Sequence, residues 1–386
     1  MKVLFLSAWY PNRYDSMSGL FVRKHADAVS QFCEVHVLYL HQNPAIKKME
    51  YVETTYHNIQ EHYLYYPFSS SYCLKIFFFF KAYCIGLKKI FSSWGKPDLV
   101  HANILTRHGI IAYLLYIRYN IPYVITEHWS RYLPQNFSYT GILRKSITKR
   151  IVKKAAAVLP VCLNLKNAMI AQGLKNPNYI TVNNVVDDFF FKSPSASATE
   201  TIPPRKIKRI LYVSCFDEKS KNVCGLLRAL KQCSLIRTDF ECILAGTGKD
   251  QQMAVDYAKT LDLPSPLLRF VGEQNPEEIR QWLYNSDFLV LFSNYENAPV
   301  VLSESFATGT PVLATKTGGI PEMVTAENGC LVSPKKEEEL SKMLSFMLDH
   351  FQEFNAENIR KNALKYSFLK VGEHLESIYR QTIKPN

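Results

Sequence analysis

Two carboxylates separated by seven residues, Glu296 and Glu304, fall in the stretch Tyr295-Glu-Asn-Ala-Pro-Val-Val-Leu-Ser-Glu-Ser-Phe-Ala-Thr-Gly-Thr-Pro311. The apolar run Phe288 to Phe292 just before it reads as a buried parallel strand. Val300 to Thr308 can then form a helix, with Gly309 as its C-terminal cap and Pro311 forbidding continuation. On that reading Glu296 lies in the loop at the carboxyl end of a strand, and Glu304 lies about one turn inside the next helix. Between them, the first backbone N–H groups of the helix have no partner within it and make a cradle for an anion. Two acceptors flanking such a cradle suit a phosphorylated ligand rich in hydroxyls, such as a nucleotide sugar. A glutamate pair at this spacing is common by chance. The strand, loop, helix, Gly and Pro around it give it weight.

Residues of this kind need a scaffold, and the rest of the chain supplies one. The first half alternates strands at Val3–Ser7, Glu34–Leu40, Leu99–Ala102, Tyr123–Thr126 and Val158–Val161 with helices near Phe21–Phe32 and Gly109–Arg118. The second half repeats the pattern with strands at Ile210–Val213, Glu241–Ala245, Leu268–Val271, Phe288–Phe292 and Val312–Ala314. Such alternation implies α/β architecture with two Rossmann-like doubly wound domains. The expected division is 1–190, a linker at 191–206 rich in Ser, Thr, Ala and Pro, 207–366, and a terminal helix within 367–386. A ligand site is expected in the cleft where the two domains face each other, at the carboxyl ends of both sheets.

The 386 residues suffice for two domains with sizeable cores. Nine cysteines show no C-x-x-C pair and no Cys/His zinc spacing, so free thiols in a reducing compartment are expected, and no metal site. The apolar start Met1 to Tyr10 runs into Pro11-Asn12 without a small-residue cleavage pattern, and reads as a first strand. No run of 18 apolar residues is free of charge, which argues against a spanning helix. The net charge is +12, and its excess is one-sided: residues 1–190 hold 22 Lys/Arg against 10 Asp/Glu. That field suits an anionic partner. With no nucleic-acid-binding motif present, an anionic membrane surface or phosphorylated lipid fits better than nucleic acid. Leu74 to Phe91 and Ile142 to Ala155 both read as basic amphipathic helices able to lie on lipid. The competing reading packs their apolar stripes on the sheet and leaves the charges merely solvated.

The stretch around Glu296 and Glu304 resembles the E-x7-E signature of the retaining glycosyltransferases of family 4, whose C-terminal domain is of the group 1 type and whose fold is GT-B. Lys221-Asn222, Leu244-Ala-Gly-Thr-Gly248, Phe270-Val-Gly272, Ser286-Asp287, Gly309-Thr-Pro-Val312 and Gly318-Gly-Ile-Pro-Glu322 follow in the family's order over about residues 207–334. The first half resembles the family more loosely, through Pro11, Ser18-Gly19, Pro97-Asp98, His101 and Thr126-Glu-His128.

The resemblance implies roles residue by residue. Glu304 would bind the donor's ribose hydroxyls and Glu296 hydroxyls of the transferred sugar. Asn297, Ala298, Val300 and Val301 would offer backbone N–H groups to sugar and diphosphate, and Pro299, although in the same run, has none to give. Lys221 would stabilise charge on the departing phosphate without a metal or other cofactor. Ser18, Gly19, Gly246 and Gly272 would lie near donor phosphates or nucleotide, and His128 would align sugar and acceptor. Trp129 and Arg131 would shape the acceptor side, and His101 is read as structural. The family commonly has Gly-Arg where this chain has Ser214-Cys215, which removes one guanidinium, and Lys219 is the candidate to compensate. The implied activity is retaining transfer from a nucleotide-diphosphate sugar to a lipid-linked saccharide in cell-surface polysaccharide or glycolipid synthesis, in the cytoplasm at the inner membrane face. The competing readings are a non-catalytic nucleotide-sugar-binding protein and another GT-B enzyme, a phosphorylase or epimerase.

Overall fold

The computed structural model describes residues 1–136, 138–192, 207–263 and 267–383. Most of the expected linker at 191–206 thus lies outside the described residues. The chain forms two units: Met1–Val185 together with the C-terminal helix from Phe368, and Val186–Ser367. The division falls before residue 190 because Phe190 is fully buried in the core of the second unit, a core that also holds Tyr212 and Phe288.

Among the described residues the first unit holds seven strands: β1 (Lys2–Ser7), β2 (Glu34–Asn43), β3 (Glu50–Tyr56), β4 (Ile59–Pro67), β5 (Leu99–Asn103), β6 (Tyr123–Glu127) and β7 (Ala157–Pro160). Their order is β3-β4-β2-β1-β5-β6-β7, parallel except for β3 against β4. Between them run α1 (Leu20–Ser30), α2 (Tyr72–Ser93), α3 (Leu105–Tyr119), α4 (Ile142–Lys154) and α5 (Leu163–Ala171). The hairpin β3–β4 has no counterpart among the expected elements. Its outer strand, Glu-Tyr-Val-Glu-Thr-Thr-Tyr, is exposed or only half-buried throughout, so it carries no apolar run to announce it.

The second unit has β8 (Lys208–Val213), β9 (Phe240–Ala245), β10 (Leu268–Gly272), β11 (Phe288–Leu291), β12 (Val312–Thr315) and β13 (Gly329–Val332), all parallel in the order β10-β9-β8-β11-β12-β13. Its helices are α6 (Glu218–Lys221), α7 (Val223–Ser234), α8 (Gln251–Thr260), α9 (Pro276–Tyr284), α10 (Val300–Thr308), α11 (Ile320–Met323), α12 (Glu337–His350) and α13 (Ala356–Ala363). Phe288, Leu289 and Val290 of β11 are fully buried, as an apolar strand covered on both faces must be. The last helix, α14 (Phe368–Ile383), packs on α1 of the first unit. There Gly372 lets the Ala28 carbonyl approach to 2.4 Å of where a Cβ would stand.

Both sheets reverse their winding direction beside a central strand, between β1 and β5 in the first and between β8 and β11 in the second. Loops leaving the carboxyl ends of those strands diverge, which opens the crevice where α/β sheets bind ligands.

Candidate active site

In the second unit the loops after β8 and β11 carry the charged groups at the switch point. Asp217 precedes the single turn α6, which ends at Asn222 in the left-handed conformation (φ 49°) and leaves Lys221 as its last residue. The Lys221 ammonium donates to Glu296 Oε1, and Ser293 Oγ donates to the same oxygen at 2.8 Å. Burial, the largest single influence, would lower the Lys221 pKa, but the Glu296 carboxylate together with Cys215 and Asp217 raises it overall, so the amine stays charged.

The loop holding Glu296 is fixed from two sides. Asn294 N–H donates to the Ser220 carbonyl at 2.7 Å and Asn294 Nδ2 to the Lys219 carbonyl at 3.1 Å, tying it to α6. On the other side Gly319 N–H donates to the Asn297 carbonyl at 2.9 Å, Thr317 Oγ1 to the Asn294 carbonyl at 3.1 Å and Thr315 Oγ1 to the Ser293 carbonyl at 2.8 Å. Gly318 (φ 56°) is required there, since a Cβ would lie 1.6 Å from the Glu296 carbonyl oxygen.

Pro299 caps α10, and Val300 and Val301 form its first turn. Gly309 (φ 79°) closes the helix, its N–H donating to the Phe306 carbonyl at 3.0 Å. Glu304 is half-buried at the middle of α10. Asn297 and Ala298 complete the approach to the helix, both half-buried. Gly246 follows β9 at φ 128°, its N–H donating to the Gly272 carbonyl at 2.7 Å at the end of β10. Those two glycines thus lie together on the side of β8 away from β11. Lys219 and Cys215 are both exposed, on the loop and turn leading to Lys221.

In the first unit, Gly19 (φ 62°) precedes α1, with the Trp9 carbonyl oxygen 2.1 Å from where a Cβ would stand. Ser18 N–H is held by Asp15 Oδ1 at 3.0 Å. His128 follows β6, its ring 4.3 Å from that of Phe21 and 5.5 Å from that of His25. Burial first, then repulsion from His25 and His101, holds its pKa well below the usual histidine range, so the imidazole is neutral. His101 is buried between Tyr379 OH and Thr126 Oγ1, each at 2.6 Å, which fits its structural reading.

Sequence reasoning passed over two residues that hold these groups. Glu127 is fully buried and accepts from the N–H groups of His128 (3.0 Å), Trp129 (2.9 Å) and Leu105 (3.1 Å) and from Tyr132 OH (3.2 Å). It sets the path of the loop that carries His128. The other is Ser293, at the end of the β11 run. A Glu directly before His128 was the available signal for the first; nothing marked the second. Among the described residues no cluster of three His, Cys, Asp or Glu side chains could hold a metal ion.

The sequence matches two family models, Glycosyltransferase Family 4 over residues 21–188 and Glycosyl transferases group 1 over residues 198–366. Together they span both units. The chain is a family 4 glycosyltransferase. It is 25% identical over 389 residues to an uncharacterized glycosyltransferase of Methanocaldococcus jannaschii, covering 99% of this chain and 98% of that one. Its fold is similar to sucrose-phosphate synthase from Thermosynechococcus elongatus, with a TM-score of 0.80, 18% identity and 99% of each chain covered. It is also similar to Anabaena HepE in complex with UDP-glucose, with a TM-score of 0.75, 16% identity, and coverage of 99% of this chain and 100% of that one. The glycosyltransferase accordingly has the GT-B fold.

Proposed function

We propose that this glycosyltransferase moves a sugar from a nucleotide-diphosphate donor to an acceptor hydroxyl with retention of configuration and without a metal ion. The observation that carries the reading is the Lys221–Glu296 pair at the switch point, four residues ahead of the α10 N-terminus. In the donor complex Lys221 would face the phosphate from which the sugar departs, with the first N–H groups of α10 adding their dipole. Glu296, fixed by Ser293, would accept from sugar hydroxyls, and Glu304 from the ribose. The acceptor oxygen bonds to the anomeric carbon as its bond to the phosphate oxygen breaks. The acceptor's proton passes to that departing phosphate oxygen. His128, neutral, serves as hydrogen-bond partner to the sugar and not as a countercharge.

The acceptor we propose is a lipid-linked saccharide presented at an anionic membrane surface. Two helix ends of the first unit support this: Ile142 (91% exposed) and Leu143 (73%) beside Arg144 and Lys145, and Tyr72 and Phe77 beside Lys75 and Lys81. Among the described residues no helix is long and apolar enough to cross a membrane.

Thermal stabilisation by UDP-, GDP- and ADP-sugars, followed by turnover with the stabilising donor, tests the proposal. Stabilisation by a nucleotide sugar with transfer or slow hydrolysis is the expected result. A second reading, a binding protein without turnover, is favoured by the exposed thiol of Cys215 where the family commonly has Arg. Donor binding with no hydrolysis or transfer would establish it.

A further inference from the structure

A pocket of about 930 Å³, part of it open to solvent, lies within the first unit. We propose that it is an acceptor subsite for a phosphorylated group, bound by the guanidiniums of Arg107, Arg131 and Arg144. The assignment rests on the transferase reading above for the word acceptor, and on the pocket alone for the anion.

Three arginines line this space, and no Asp or Glu does. They come from separate places: Arg107 from the first turn of α3, Arg131 from the loop that follows His128, and Arg144 from the first turn of α4. A lining that gathers three guanidiniums from three elements, and no carboxylate, concentrates positive charge in a way that favours an anionic ligand. The Arg131 pKa is lowered by burial; Tyr132 and the Glu127 carboxylate oppose that shift, and the Arg144 charge adds to it. The two histidines of the lining add no charge: burial lowers the His108 pKa to about 3 and lowers that of His41. Guanidinium forks match phosphate oxygens two at a time, which a lysine cluster would not do.

Aromatic walls complete the site. The Arg131 guanidinium stacks 3.3 Å from the centroid of the Trp129 ring, and Trp9 lies 5.1 Å from Trp129. Stacking holds Arg131 in one orientation before any ligand arrives, and indole faces suit a sugar ring or a hydrocarbon chain. The floor includes Ile104, a β-branched residue at φ 68°, held there by its N–H to the Thr126 carbonyl at 2.8 Å. Backbone strain of this kind concentrates where a surface is shaped for a ligand. Trp129 and Arg131 also belong to the loop organised by Glu127, so the subsite and His128 share one support.

The test uses the full chain and intrinsic tryptophan fluorescence, since Trp9 and Trp129 both line the pocket. Inorganic pyrophosphate, glucose 1-phosphate and farnesyl diphosphate are titrated at constant ionic strength, with glucose as the neutral control. Each is titrated into the unaltered protein, the double variant Arg107→Gln/Arg144→Gln and the donor-side variant Lys221→Ala. Both arginines are exposed, so their replacement leaves the packing alone. Saturable binding of the phosphates, weakened by about tenfold or more in the double variant and retained in Lys221→Ala, is the expected result. Tighter binding of farnesyl diphosphate than of pyrophosphate assigns a lipid-linked acceptor. Equal binding assigns a soluble phosphorylated one, and both results uphold the subsite. Phosphate binding unchanged by the double substitution, or matched by glucose, overturns it. Anion binding without sugar transfer from any donor would overturn the transferase reading and leave the anion site standing. Turnover without anion binding would do the reverse.

Discussion

Lys221 and Glu296, 75 positions apart in the chain, share one hydrogen bond at the carboxyl end of the central strands of the second sheet. The pair keeps the ammonium protonated and aimed, and it also means that neither charge can be deleted cleanly.

Lys221→Ala should therefore lower turnover by about 100-fold or more and also destabilise the protein by about 1–3 kcal/mol, because Glu296 is left part-buried without its cation. Adding Glu296→Gln should recover much of that stability and none of the activity. Thermal melts and initial rates for the two single variants and the double variant check this. Strict additivity of the two stability losses would contradict the pairing.

Gly318→Ala tests the support of the same loop. With φ at 56° and a Cβ 1.6 Å from the Glu296 carbonyl, the loop must move or the variant must lose stability. Donor affinity, read by calorimetry, should fall at least tenfold even where the melt shows the fold intact, roughly the 1.4 kcal/mol that a modest loop displacement removes. Unchanged donor affinity would show that this segment plays no part in binding.

Glu127→Gln addresses the first unit. A carboxylate serving four donors is replaced by an amide that accepts through one oxygen only, at a cost of about 1–3 kcal/mol. The His128 loop should shift, lowering kcat while nucleotide affinity in the second unit stays as it was. Equal losses in kcat and nucleotide affinity would point to general unfolding instead.

Acid should destabilise the protein through its buried histidines. Burial lowers His25 to about 4 and His108 to about 3, and holds His101 and His128 well below the usual range. Between roughly pH 6.5 and 4 the unfolded chain binds protons that the folded one refuses, so stability falls as pH falls through that window. Each such histidine contributes up to about 1.4 kcal/mol per pH unit. Denaturant midpoints from pH 7 to 5 measure the slope, and His25→Asn should flatten it by about one histidine's share. A slope untouched by that change would remove His25 from the account.

Vesicle binding separates the membrane proposal from a merely solvated surface. Binding should need anionic lipid, weaken with salt and drop in Ile142→Asp/Leu143→Asp, whereas equal affinity for neutral vesicles would exclude the electrostatic component.

The central strands were readable because a strand buried on both faces shows as an unbroken apolar run, and Phe288 to Phe292 is one. The helix at Val300–Thr308 was equally plain, bounded by Pro and by a Gly that the structure finds in the left-handed conformation. Helix α3 begins earlier than the Gly109 expected, at Leu105, because the Glu127 carboxylate holds the Leu105 N–H from a distant strand, a link no local pattern encodes. Likewise the positions of Lys221 and Glu296 were legible but their contact was not. It depends on strand order, which places β8 beside β11. The arginine pocket was hidden for the same reason, its three charges lying on three elements that only the fold gathers.

Helix α14 sets a schedule for the nascent chain. Val371, Leu375 and Tyr379 complete a core begun by Val3, Val22 and Val35, and Tyr379 reaches His101. During vectorial synthesis the opening lobe must wait, its apolar groove uncovered, while the whole intervening lobe emerges and closes on itself. Removing the final turns should accordingly spoil the lobe made first and spare the one made just before the cut.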